Sequence, residues 1–392
     1  MEKKAIVTVN RLELLQAMNN ARHAIAPGAL QMFSYYLFEV SRHNLTVTAC
    51  NGDMSIRHQI DATLEGEPGR FTLYGQQLTK ALRLLEDENV TITTYDYQFS
   101  VNHSHGSFLL PFGINEGEYA IYPKEPENYD HSVCVEAPGL KQWIGSVAFA
   151  TADDALRPVM NGVYFDFEET YFTVVASDGH ILARHTTKVE NLFHGGYIFP
   201  DAVIRVLLKV LPKAGWVDMD FSERCVRISI SYGDDNPDVP LTIIFKPTEG
   251  RFPNWRSVIP SHNDYRFSVD TKTLLKSLMR VDLFGNDSSR LVQFRFAEDA
   301  KKVEISGKDI DFNSEASETI EVVEDKTGNI SHFTDKWGYR NPALQQVLKR
   351  IGTKDVVFSI QDPSRATIIQ PVRTDGRDSR LLLLIMPMLT SD

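Results

Sequence analysis

Asp178-Gly179-His180 sets a carboxylate and an imidazole two residues apart, the pair a hydrolase uses to activate a nucleophile. No Gly-x-Ser-x-Gly elbow supplies that nucleophile, and Asp-Gly is an ordinary turn signal, so catalysis is disfavoured. His103-Ser104-His105 places two imidazoles on one face of a strand, the start of a metal edge. No third ligand stands at a suitable spacing, and a solvated hairpin is the simpler reading. Asp153-Asp154 carries the charge to hold magnesium, but a helix-end or loop role is simpler. No phosphate-cradling glycine loop occurs, which disfavours an ATPase. No catalytic residue, metal site or cofactor is assigned.

The chemistry that does stand out is electrostatic. The chain carries 52 Asp+Glu against 41 Lys+Arg, a formal charge of −11, which taken alone argues against a nucleic-acid partner. The distribution overrules the total. Segments with helical spacing carry Lys or Arg and almost no acid. Gly75–Leu85, Gly139–Phe149, Ala202–Lys213, Thr271–Val281 and Pro342–Ile351 contain no Asp or Glu, and the first helix contains only Glu13. Cations near helix C-termini suit the helix dipole, which accounts for Lys349 and Arg350 but not for the missing acids.

These helices are placed by a threefold repetition of helix, hairpin, helix, hairpin. In the first unit the helix spans Asn10 to His23, with Leu12, Leu15 and Met18 on its apolar stripe and Arg11 and Arg22 off it. Strands Tyr36–Val40 and Leu45–Ala49, helix Gly75–Leu85, and strands Val90–Tyr95 and Gln98–Val101 follow. The second unit reads helix Gly139–Ala150, strands Val163–Phe167 and Tyr171–Ala176, helix Asp201–Leu211 with Asp201 as N-cap, then Val217–Phe221 and Val226–Ser231. The third reads helix Thr271–Val281, strands Leu291–Phe296 and Lys302–Ser306, helix Pro342–Ile351, then Val356–Ile360 and Arg365–Gln370. Ser314–Asp325, rich in Glu, reads as a long solvated strand-and-loop extension. The period of roughly 125–140 residues exceeds that of solenoids and propellers, so whole domains repeat. Punctuation at Pro123–Pro126 and Pro253–Pro260 divides the chain into domains 1–126, 127–259 and 260–392.

The expected architecture is α+β, with mixed sheets outside and helices inside forming a wall that faces a polyanion. Lys and Arg without interleaved aromatics suit phosphate contact better than base stacking. The expected DNA-binding set is Arg11, Arg22, Lys80, Arg83, Lys141, Arg205, Lys209, Lys213, Lys272, Lys276, Arg280, Lys349 and Arg350. Binding to duplex DNA is expected to be sequence-independent and salt-sensitive. Three scattered cysteines, no apolar signal region and no apolar run of membrane length point to the cytoplasm.

Four stretches carry a family resemblance. Thr151-Ala152-Asp153-Asp154-Ala155-Leu156-Arg157-Pro158-Val159-Met160-Asn161-Gly162, Val175-Ala176-Ser177-Asp178-Gly179-His180, Glu249-Gly250-Arg251-Phe252-Pro253-Asn254-Trp255 and Met386-Pro387-Met388 resemble, in order and spacing, the bacterial DNA polymerase III beta subunit family of sliding clamps. The resemblance implies three clamp domains, each with two helices packed on antiparallel sheets. It implies a head-to-tail homodimeric ring around duplex DNA, a non-catalytic processivity role in replication, and a clamp loader and DNA polymerases as partners. It also implies a partner-peptide pocket at Met160, Ser177, Gly179, His180, Leu182, Pro253, Val258, Ile385, Met386, Pro387 and Met388. Methionines and aliphatics make an adaptable groove for short apolar peptides.

The chain also departs from the family pattern. Ala26-Pro27-Gly28-Ala29 lacks the expected basic loop, Gln76, Ile181 and Ser257 stand where Arg is frequent, and the tail ends Leu389-Thr390-Ser391-Asp392. Three alternatives therefore stand beside the replicative clamp: an accessory clamp, a hydrolase or nuclease built on Asp178, His180 or Asp153-Asp154, and an interaction scaffold with weak or no DNA binding.

Overall fold

The computed structural model of the chain describes residues 4–28, 30–190, 192–232, 241–372 and 380–390. Its elements follow one order three times: strand, helix, four strands, helix, three strands. The first repeat is β1 (Ala5–Asn10), α1 (Arg11–Ala21), β2 (Tyr36–Val40), β3 (Asn44–Cys50), β4 (Met54–Asp61), an additional β5 (Thr63–Gly66), β6 (Gly69–Leu73), α2 (Gln76–Leu82), β7 (Asn89–Thr94), β8 (Gln98–His103) and β9 (Gly106–Pro111). The second is β10 (His131–Glu136), α3 (Ala137–Val147), β11 (Gly162–Glu168), β12 (Tyr171–Ser177), β13 (Ile181–Lys188), β14 (Gly195–Pro200), α4 (Asp201–Val210), β15 (Trp216–Phe221), β16 (Val226–Ile230) and β17 (Leu241–Phe245). The third is β18 (Tyr265–Asp270), α5 (Thr271–Val281), β19 (Leu291–Phe296), β20 (Lys302–Asp309), β21 (Ser314–Asp325), β22 (Trp337–Arg340), α6 (Asn341–Leu348), β23 (Asp355–Ile360), β24 (Thr367–Pro371) and β25 (Leu381–Ile385).

Local chemistry sets the helix starts. The Asn10 side chain accepts hydrogen bonds from the Leu12 and Glu13 amides, and Asp270 accepts one from Thr273 at 2.7 Å. That bond holds the Asp270 carboxyl below its usual pKa. α4 begins at Asp201 itself, so the acid lies within its first turn, where the helix dipole favours it.

The buried stripe of α1 differs from the expected one. Leu14, Ala17, Met18 and Ala21 are buried, whereas Leu12 is 47% exposed. Arg11 lies three residues before Leu14 and therefore shares the buried stripe.

The chain divides into two compact units, Met1–Gln142 with Arg205–Pro247, and Trp143–Ile204 with Thr248–Asp392. The first unit holds a five-stranded sheet, β5-β1-β7-β8-β9, and an eight-stranded one, β10-β15-β16-β17-β4-β3-β2-β6. The second holds a twelve-stranded sheet, β14-β11-β12-β13-β25-β24-β23-β18-β21-β20-β19-β22. These units do not follow the repeat boundaries because strand pairing crosses them. β17 of the second repeat pairs with β4 of the first, and β25 of the third pairs with β13 of the second.

Every strand pairing among the described residues is antiparallel, which corrects the expectation of mixed sheets. β21 is also a correction. It is a continuous strand that pairs with β20 along residues 314–321 and with β18 along residues 322–325, with no loop in it. Its Glu residues recur every third position, so Glu315 and Glu321 lie on one face, both exposed, and Glu318 lies on the other, half-buried.

Candidate nucleic-acid face and partner groove

The cationic helices and the apolar groove are built in different ways. In each repeat one polar side chain ties the two helices together. Arg83 Nη2 donates to Asn19 Oδ1 at 3.1 Å, Lys141 Nζ to the Leu211 carbonyl at 2.7 Å, and Asn341 Nδ2 to the Leu278 carbonyl at 2.9 Å.

These ties sort the expected cations. Arg11 is buried, its Nε donating to the Glu86 carbonyl at 3.0 Å, so it holds the core together and is withdrawn from the DNA-binding set. Lys141 is half-buried and spent on the end of α4, a carbonyl that the helix itself cannot satisfy. Arg280 is exposed but held by Glu318, with Nε at 2.6 Å and Nη2 at 2.5 Å from its oxygens. Arg350 stacks its guanidinium 5.1 Å from the Phe149 ring. Arg22, Lys80, Arg83, Arg205, Lys209, Lys213, Lys272, Lys276 and Lys349 are exposed.

The structure gathers several of these cations. Arg22, Lys80 and Arg83 line one cleft of about 390 Å³ together with Gln76. The charges of Lys209 and Arg22 both reach His23, whose pKa is lowered first by burial and then by them. α2, α3, α5 and α6 contain no acid, and the acids of α1 and α4 sit in first turns. Ala26, Pro27 and Gly28, where the resemblance leads one to expect a basic loop, follow the 3-10 turn Arg22–Ala24. Ala29 lies outside the described residues.

The groove begins at two turns. Pro158–Met160 is a 3-10 turn whose preceding loop is closed by Asp154 and Asn161: the Asp154 amide donates to Asn161 Oδ1, and Asn161 Nδ2 to the Asp154 carbonyl. Arg157 and the Leu156 amide hold the Asp154 carboxylate, so Asp153-Asp154 takes the loop role. The second turn is Asp178-Gly179-His180. Asp178 Oδ1 accepts from the His180 and Ile181 amides, each at 2.7 Å, and Gly179 has φ +93°. The carboxylate is committed to the backbone rather than to the imidazole, a turn in which glycine carries the left-handed residue. A Cβ at Gly179 would lie 3.2 Å from Arg157 and 4.0 Å from Met160 Cε, which places the two turns against each other.

The chain end runs beside the second turn, where the groove is expected. The Met386 amide donates to the His180 carbonyl, and the Met388 amide to the Gly338 carbonyl, both at 2.8 Å. Ile181 faces Ile385 and Leu182 faces Leu384 in the β13–β25 ladder. The floor is a buried cluster of Val175, Leu182, Phe252, Trp255, Ile368 and Leu384, with Val159 packed against it. Trp255 is fixed by its Nε1 donating to Asp166 Oδ2 at 3.1 Å. At the rim Val258 is 52% and Met386 40% exposed, while Met160 and Ile385 are buried. Pro253 and His180 are exposed, and Ser177 and Pro387 half-buried. Exposed apolar side chains over an apolar floor form a surface suited to a short hydrophobic peptide. Ser391 and Asp392 of the tail lie outside the described residues.

His103 ends β8 and His105 lies in the turn to β9, its amide donating to His103 Nδ1 at 3.3 Å. The two imidazoles do not share a strand face. No cluster of three metal-ligating side chains occurs among the described residues. None of the described helices is long and apolar enough to cross a membrane.

Family models match all three repeats. Residues 6–123 match the model of the DNA polymerase III beta subunit N-terminal domain, 135–239 the central domain, and 256–389 the C-terminal domain. The chain is 21% identical to a beta sliding clamp of Staphylococcus aureus over 98% of this chain and 99% of that one. It is 24% identical to a beta sliding clamp of Treponema pallidum over 92% of each. Its fold is similar to the crystal structure of the Pseudomonas aeruginosa sliding clamp bound to griselimycin, with TM-score 0.87 and 20% identity over 99% and 100% of the two chains. It is similar also to the Thermotoga maritima DNA polymerase III beta subunit, with TM-score 0.84 and 22% identity over 99% and 100%.

Proposed function

The chain belongs to the DNA polymerase III beta subunit family, and we propose that it works as a closed homodimeric ring threaded on duplex DNA. It is a sliding clamp, a non-catalytic processivity factor of DNA replication. The readings as an accessory clamp, a hydrolase or a scaffold without DNA are not favoured. The partners proposed are duplex DNA, a second copy, a clamp loader, and DNA polymerases that dock a short peptide in the groove. Its proposed place is the cytoplasm, and its proposed domains are 1–126, 127–259 and 260–392.

The observation that carries the ring is the pair of strand junctions. At one, Leu241 faces His58 and Phe245 faces Met54; at the other, Leu381 faces His185 and Ile385 faces Ile181. Following the same ladders through the remaining repeats leads to β9 in the first and β21 in the third. Neither β9 nor residues 314–321 of β21 have a second strand neighbour among the described residues. Carrying the register over puts Gly106 opposite Glu318 of a second copy and Leu110 opposite Ser314. Two such junctions per dimer close a ring with twofold symmetry. An unpaired edge is otherwise an aggregation hazard.

In that ring Arg22, Lys80, Arg83, Arg205, Lys209, Lys213, Lys272, Lys276, Lys349 and Arg350 face phosphates without reading bases. Sedimentation equilibrium tests the assembly: a dimer of twice the chain mass is expected, and a monomer at micromolar concentration would contradict it.

A further inference from the structure

A second recognition site lies next to the apolar groove. A cavity of about 500 Å³ is lined by Arg184, Ser261, His262, Asn263, Arg266 and Gln370, with Ile368 at its apolar side. None of its lining residues is acidic, in a chain of net charge −11. Arg184 Nε is buried without a hydrogen-bond partner, and so is Asn263 Oδ1. Rotating the Asn263 amide by half a turn presents its NH₂ donors instead. Burial first, and the neighbouring Arg256 second, lower the Arg184 pKa. Arg256 is itself satisfied by Asp166, Glu168 and the face of Trp255. Arg184 stands 6.0 Å from the same ring, and no carboxylate pairs with it among the described residues. A half-buried, unneutralised guanidinium is costly, and an arriving anion relieves that cost.

The cavity is continuous with the groove. Arg184 follows Leu182 by two residues on β13, hence on the same face and about 7 Å along it. Ile368 belongs both to the cavity wall and to the groove floor. We infer that this cavity is an anion site that receives a carboxylate of the peptide lying in the apolar groove, and the inference rests on the peptide-docking reading of that groove. Arg184 and Arg266 are its cations, and Ser261, Asn263 and Gln370 supply neutral hydrogen bonds. Because the carboxylate is tethered to apolar anchors, it binds at high effective concentration, which a free anion lacks.

The test uses the full chain and two labelled peptides, acetyl-Glu-Ser-Leu-Phe-Ser-Glu-amide and its twin with Gln for both Glu, followed by fluorescence anisotropy. The Glu peptide is expected to bind about fivefold tighter or better at low salt. The double variant R184Q/R266Q should remove that advantage and leave the Gln peptide unchanged. R266Q alone, at an exposed position, should remove part of it and guards against a folding defect at Arg184. Equal affinities for the two peptides on the unaltered chain would overturn the anion site while leaving the groove intact. Failure of both peptides to bind would overturn the groove reading and the tethered carboxylate with it. Inorganic phosphate binding as tightly as the Glu peptide, and lost in R184Q/R266Q, would replace the tethered carboxylate with a small free anion.

Discussion

Asn20 Nδ2 lies 3.0 Å from His58 Nδ1, joining the tenth residue of α1 to the strand that forms the junction with β17. The same contact recurs one repeat later, where Ser146, the tenth residue of α3, stands 3.2 Å from His185 Nδ1 at the junction with β25. In the third repeat the tenth residue of α5 is Arg280, and its partner at the matching ladder position is Glu318. Neutral pairs thus occupy the two junctions made within the chain. A solvent-facing ion pair occupies the edge proposed for a second copy.

Those histidines make the fold acid-sensitive. Burial drives His58 down to about 4, and burial followed by the charges of Arg380 and Arg184 drives His185 down to about 4. The unfolded chain, with imidazoles near 6.5, therefore binds more protons than the folded one between pH 6.5 and 4. Stability is complete above about pH 6.5 and falls as pH drops toward 4, by up to about 3 kcal/mol per histidine. Urea unfolding at pH 7.5 and pH 5 should show this loss, and H58Q/H185Q should flatten the difference. An unchanged slope in the double variant would show that other groups carry it.

The cations are not equivalent. Charge reversal at Lys209 and Lys276, both exposed, should weaken DNA binding and lower the salt slope by about one per lost phosphate contact. Lys141→Gln should leave the DNA slope alone and cost about 1 kcal/mol of stability through the lost Leu211 bond. Arg280 reversal should in addition set two carboxylates against each other at Glu318. Nitrocellulose or anisotropy titrations over a salt series, with thermal melts alongside, separate these effects.

Much of this was legible in the sequence. The threefold order, the acid-free helices and the two-helix domains follow from periodicity and charge, and α5 spans the range that periodicity gives it. Leu12 and Leu15 suggest a stripe that leaves Arg11 outside it, whereas Leu14, Met18 and Ala21 form the buried one. That choice depends on which sheet α1 meets, a long-range fact. Junction strands β4, β13 and β17 escaped for the same reason, since their partners lie far along the chain. Arg184 and Arg57 recur before His185 and His58 on strands with the same burial pattern, a signal available only once β4 and β13 are known to match.

The groove depends on its closing segment. Met388→Ala should weaken binding of an apolar peptide by about tenfold, the size of a buried methionine contact at an interface. His180→Ala should do so less, because the His180 carbonyl that holds Met386 remains. Unaltered affinity in both variants, measured by calorimetry, would remove these residues from the site.

The proposed intermolecular edge has its own handle. Leu109 is 59% exposed on β9, and the carried-over register sets it opposite Glu315 of a second copy. Leu109→Asp should leave the monomer folded and raise the dimer dissociation constant at least about tenfold through like-charge repulsion across the strands. A dimer of undiminished strength would place the interface elsewhere.

The most direct measurement is retention on DNA circles. Protein loaded onto a nicked circular duplex with its cognate loader should stay bound through gel filtration at high salt, then leave within minutes once the circle is linearised. Release from the intact circle at the same rate as from the linear form, or no association with circles at all, would contradict a topological clamp.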